Sequence, residues 1–179
     1  MLLFYFIVYK HCLPCYNEFM KVTRELQITG REFFEVVFQN LAGDIRSSDK
    51  TEIEIGQFRT GFTYTYHPED PALRISFEIV EYQEEKLYKA VRTSPTGSIS
   101  IIYDVTPTEN GIRVDYTYED TALANKKRGF FSGLSDAVYL SHMTDALYSI
   151  QRTVINQREG FEEMRANSPF LPNIRKSKQ

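Results

Sequence analysis

Hydrophobic positions in the last third of the chain recur at steps of three and four. Leu140, Met143, Leu147, Ile150, Val154 and Phe161 fall on one stripe of an α-helix predicted over Ser135–Met164. At 100° per residue, Ser141, Asp145, Ser149, Arg152 and Asn156 fall on the opposite side. Such a helix spans about 40 Å, long for a globular protein. With one dry face and one wet face, it must lie along another element.

Upstream, Lys21–Ile28 alternates as a first strand. Thr29-Gly-Arg-Glu32 then matches a capping box, in which the Thr hydroxyl and the Glu carboxylate each satisfy an orphan backbone donor. Phe34, Val37, Phe38, Leu41 and Ile45 supply the apolar face of the helix that follows, and Gly43–Gly56 reads as a loop or short second helix. From Phe58 the period changes to two. Phe62, Tyr64 and Tyr66 alternate with threonines up to the turn His67-Pro-Glu-Asp-Pro71. Leu73, Ile75, Phe77 and Ile79 form the next strand, and Leu87–Thr93 a weaker one beyond the turn at 83–86. Ile99, Ile101, Tyr103 and Val105, then Ile112, Val114, Tyr116 and Tyr118, complete five strands joined by short turns. An antiparallel meander that is apolar on one face needs a cover, and the long helix is the available one. The predicted class is α+β.

This order of strand, helix, antiparallel meander and long C-terminal helix is similar to the helix-grip arrangement of the START-like (SRPBCC) superfamily. The stretches Met20-Lys-Val-Thr-Arg-Glu-Leu26, Phe33-Phe34, Gly61-Phe-Thr-Tyr64 and Gly111-Ile-Arg-Val-Asp-Tyr116 also resemble a small bacterial family of unassigned activity within it. The resemblance covers about Met20–Arg158 and consists of patterning rather than a catalytic signature. It implies a sheet curved around the C-terminal helix, with a cavity between them that often holds a small apolar or aromatic molecule. It transfers no catalytic residue.

Composition narrows the partners. The formal charge of −3 lacks the basic face that phosphate contacts need, so no nucleic-acid partner is expected. Twelve tyrosines and thirteen phenylalanines without tryptophan favour strands and broad contact surfaces. The apolar run Met1–Tyr9 is too short to span a bilayer, so no stable membrane insertion is expected. It also lacks the basic start and small-residue cleavage site of a signal peptide. The two cysteines, Cys12 and Cys15, lie outside the patterned region, which favours a cytoplasmic setting. The expected organisation is an extension at 1–19 (a leader or a start-site artefact), the domain at 20–164 and a mobile tail at 165–179.

Chemistry-bearing residues are sparse, and no cofactor or metal is expected. His11-Cys12-x-x-Cys15 lacks the partner pair of a zinc site and the strand–helix context of a redox motif. His67 sits in an acidic turn, either solvated or facing a cation with Glu69 or Asp70; His142 falls on the polar shoulder of its helix. Asn125-Lys-Lys-Arg128 is a solvated loop or an attractor of anionic head groups. The inner-phase tyrosines are either core or cavity wall, since a buried phenol needs a partner for its hydroxyl. The candidate pocket residues are Tyr64, Phe77, Ile101, Tyr103, Tyr116, Tyr118, Met143 and Leu147. They suggest a small hydrophobic or aromatic ligand held without catalysis. The alternatives are a cyclase/aromatase-like enzyme and a protein-interaction domain with a filled core.

Overall fold

Alternation with period two puts every second side chain on one face of a strand, and five such strands joined by tight turns pair in sequence. The computed structural model describes residues 18–67, 69–121 and 132–166. The elements are β1 (Glu18–Leu26), α1 (Gly30–Asp49), a 3₁₀ turn (Ile55–Gln57), β2 (Thr63–Tyr66), β3 (Ile75–Gln83), β4 (Leu87–Ser94), β5 (Gly97–Thr108), β6 (Gly111–Asp120) and α2 (Ser132–Ala166). The strands form one antiparallel sheet in the order β1-β6-β5-β4-β3-β2. Both helices pack on its inner face, giving the expected α+β helix-grip architecture.

Several boundaries differ from the sequence expectation. β1 begins at Glu18, paired with Asp120, two residues before the expected domain start. α1 runs through Gly43 to Asp49 because Ile45 is fully buried and anchors another turn, and Lys50 closes the helix in the left-handed conformation. Leu73 lies before β3 and is 58% exposed. A bulge between Ile79 and Glu81 leaves Val80 at the surface and turns Tyr82 inward against Phe34 and Phe38. The α2 stripe is buried only in its middle. Met143, Leu147, Ile150 and Val154 are covered, while Leu140 and Phe161 overhang the sheet at 36% and 60% exposure.

Cross-strand register arranges the inner face in rows. Tyr82, Tyr88, Tyr103, Tyr116 and Val22 lie side by side on β3, β4, β5, β6 and β1. The next row toward the β2 end holds Ile79, Ala90, Ile101, Tyr118 and Met20, and the one after it Phe77, Arg92, Ile99, Asp120 and Glu18. Phe33 of α1 meets Tyr103 edge-on, with ring centroids 5.3 Å apart.

α1 and α2 are tied where Glu32 and Arg158 meet. The Glu32 carboxylate completes the capping box with Thr29 and accepts from Arg158 Nε at 2.8 Å and Nη2 at 2.5 Å. The Arg158 bonds, aided by those from Thr29, overcome partial desolvation and hold the Glu32 carboxyl at about 2, below its ordinary 4.5. Stability from this contact is therefore complete above pH 4.5 and is lost as pH falls toward 2. Arg158→Ala is expected to cost about 1–2 kcal/mol near neutral pH, allowing for solvent screening, and to flatten that part of the acid limb; chemical denaturation between pH 2 and 7 checks both.

At the start of β6, Gly111 has φ 151°, and a Cβ there would overlap the carbonyl oxygen of Leu26. Gly111→Ala is expected to lower stability by about 3 kcal/mol or more, measured by thermal unfolding.

Candidate functional site

The inner face is not filled evenly. Toward the β2 end a cavity of about 510 Å³ remains between the sheet, α1 and α2. Its floor is formed by Tyr88, Ala90, Ile101 and Tyr103, with Phe77, Ile99, Tyr66 and Tyr118 around it. Val37, Asn40, Leu41 and Asp44 of α1 form one wall, and Ala146, Ser149 and Ile150 of α2 the other. The space exists where small residues face one another. Ala90 sits on the strand, and Ala146 and Ser149 sit on the flank of the α2 stripe.

Of the eight residues expected from the sequence, Phe77, Ile101, Tyr103 and Tyr118 line this cavity. The other four do not. Met143 and Leu147 are buried, Leu147 completely, in the solid part of the core beneath α2. Tyr116 stands behind Tyr103, with ring centroids 4.8 Å apart. Tyr64 packs on Tyr66 at 4.7 Å near the sheet edge. The pocket expected between Tyr103, Tyr116, Met143 and Leu147 is thus occupied by side chains, and the void lies beside it, over β3–β5. Sequence reasoning assigned no phase to β4, so it missed Tyr88, Ala90 and Arg92. The alternation of these three in an eight-residue strand was the available signal. Ser149, expected on the polar side of the helix, is exposed there and also borders the open rim of the cavity beside α1.

The floor hydroxyls are held neutral. Burial pushes the Tyr103 phenol well above its usual value, reinforced by the neighbouring Tyr116 and Tyr88 phenols. Burial raises Tyr88 strongly as well, with Tyr66 adding to it, and its hydroxyl makes no hydrogen bond among the described residues. Tyr118 is pushed up to about 12 by burial and then by nearby Asp120, whose Oδ2 its hydroxyl approaches at 3.5 Å. The charges sit at the mouth. Arg92 projects from the inner face between Phe77 and Ile99, its Cζ 5.6 Å from the Tyr66 ring centroid, and Asp44 faces the same opening from α1.

The other candidates stay outside the cavity. His67 adopts φ 49° in an exposed turn, with Nδ1 3.8 Å from Glu69 Oε1, and His142 is exposed on α2. Among the described residues no group of three His, Cys, Asp or Glu side chains could hold a metal ion, and no helix is long and apolar enough to cross a membrane. The Cys12/Cys15 pair and Asn125–Arg128 lie outside the described residues.

Residues 20–141 match the profile of a domain of unknown function, DUF3284. The chain belongs to the DUF3284 family. No curated protein matches it. Three solved structures share the fold of this DUF3284 chain. The first is Ara h 8.0201, at 7% identity and TM-score 0.51, with 77% of this chain and 97% of that one covered. The second is the polyketide-cyclase-like protein Cgl2372 from Corynebacterium glutamicum, at 15% identity and TM-score 0.52, covering 79% and 94%. The third is SA2116 from Staphylococcus aureus, a protein of unknown function, at 14% identity and TM-score 0.51, covering 81% and 98%. They establish the START-like helix-grip fold, and at such identities they carry no activity across.

Core and cavity differ in what a truncation costs. Leu147→Ala is expected to destabilise by about 2–5 kcal/mol, because it empties a fully packed position. Tyr88→Phe should change stability by less than about 0.5 kcal/mol, because it removes a hydroxyl without a protein partner. Urea denaturation of the two variants measures the contrast.

Proposed function

We propose that this DUF3284 domain binds a small hydrophobic or aromatic molecule in the cavity between β3–β5, α1 and α2. The observation that carries this reading is the 510 Å³ space with its mostly apolar lining and phenol-bearing floor. Ligand pockets have this size and composition: mostly apolar lining with a few placed polar groups. A domain whose core was filled throughout, as a pure interaction module would have, would not leave such a space. The raised pKa values of Tyr88 and Tyr103 support holding a ligand rather than abstracting its protons, because neutral phenols offer hydrogen bonds and no basic site. A cytoplasmic setting fits this reading, with both cysteines confined to the first fifteen residues.

Isothermal titration with 2-naphthalenemethanol, a neutral aromatic alcohol, tests the reading. At about 0.3 kcal/mol or more per heavy atom, its Kd should be about 2 mM or tighter. Ala90→Leu fills the floor from the sheet and Ser149→Leu fills it from the helix. Each should weaken binding at least tenfold while leaving the melting temperature unchanged or raised. Absence of binding by the parent protein, or binding by both variants as tight as the parent's, contradicts the proposal.

A further inference from the structure

Arg92 is out of keeping with its surroundings. It belongs to the inner, concave face of the sheet, in the cross-strand row of Phe77 and Ile99 and one inner position beyond Ala90 on the same strand. Surface arginines ordinarily project from the outer face and pair with carboxylates. This guanidinium instead lies over the Tyr66 ring at the mouth of the cavity, and among the described residues it forms neither an ion pair nor a hydrogen bond. At 5.6 Å from the ring centroid the guanidinium is held by a cation–π contact, and its fork of N–H donors, matched to an oxyanion, is available to bond.

The remaining charge at the mouth limits which oxyanion fits. The residues lining the cavity include one cation, Arg92, and one anion, Asp44. A single guanidinium balances one negative charge, and Asp44 opposes a second. Farther in, the lining is apolar or phenolic, so an ionised group is stabilised at the Arg92 end and costly at the floor beside Ala90 and Ile101. We propose that the ligand is an amphipathic monocarboxylate: its aromatic or alicyclic body lies on the floor and its carboxylate is bound at the mouth by Arg92. This inference rests on the binding reading above and adds the ligand's charge and orientation.

The test compares three probes sharing one ring system, 2-naphthoate, 2-naphthalenemethanol and 2-naphthyl phosphate, by calorimetry on the full chain and on Arg92→Gln and Arg92→Lys. A charge-assisted pair at a partly open site predicts that 2-naphthoate binds about tenfold tighter than the alcohol. Arg92→Gln should abolish that preference, bringing the affinity of 2-naphthoate down to that of the alcohol. Arg92→Lys, which keeps the charge and loses the fork, should retain only part of it. The phosphate should bind no better than the carboxylate. Equal binding of acid and alcohol by the parent protein, or a preference that survives Arg92→Gln, overturns the carboxylate inference and leaves the cavity reading standing. Tighter, Arg92-dependent binding of the phosphate overturns the monoanion assignment. Failure of all three probes to bind contradicts both readings.

Discussion

A row of four tyrosines across the sheet is the constraint on which the interior depends. Tyr82, Tyr88, Tyr103 and Tyr116 lie side by side on adjacent strands; the rings of Tyr88, Tyr103 and Tyr116 touch in turn, and Phe38 bridges Tyr82 to Tyr88, forming a ridge on the inner face. Phe33 packs edge-on against Tyr103, and Phe38 packs against both Tyr82 and Tyr88. α1 is thereby seated on the ridge by its own aromatic face. On one side of the ridge Val105, Val114, Ile112 and Leu26 complete a solid core. On the other side the large residues give way to Ala90, and the space left over is the cavity.

The ridge also explains why phenols stand where phenylalanine would pack as well. Tyr103 and Tyr116 pack ring against ring on neighbouring strands, and the Tyr88 hydroxyl makes no hydrogen bond among the described residues. Because Tyr88 lines the cavity, its hydroxyl is not among the buried unpartnered groups and stands available to a ligand. α1 is held in place above this floor by Glu32, which caps its own helix and grips Arg158 of α2 with the same carboxylate. A side-chain bond between Gln157 and Gln39 lies beside that tie. The walls of the cavity are thus fixed by contacts outside it.

The architecture was legible in the sequence because burial imposes a period, and the period was strong in most elements. The α2 stripe, the capping box at Thr29 and the alternation in β5 and β6 each named their element and its inner face. The bulge at Ile79–Glu81 was not legible: one inserted residue flips the phase that follows it, which is how Tyr82 comes to face inward. The cavity was only half legible. Large apolar residues at inner positions mark what is buried, and they pointed to Phe77, Ile101, Tyr103 and Tyr118. They also pointed to Met143 and Leu147, which fill the core so well that no space remains beside them. A void is made by the residues that are small, and Ala90, Ala146 and Ser149 carry no hydrophobic signal of their own. Arg92 was hidden for a related reason: a charge in an alternating strand reads as outer face until the register with Phe77 and Ile99 places it inside.

The interior is divided, solid on one side of the tyrosine ridge and open on the other. Methyl-resolved NMR during titration with 2-naphthalenemethanol tests this most directly. The account predicts that the methyl signals of Ile99, Ile101, Ile150, Val37 and Leu41 shift, while those of Leu147, Ile112 and Val114 stay in place. Shifts concentrated at Leu147 and Val114, or spread evenly over both groups, would contradict it.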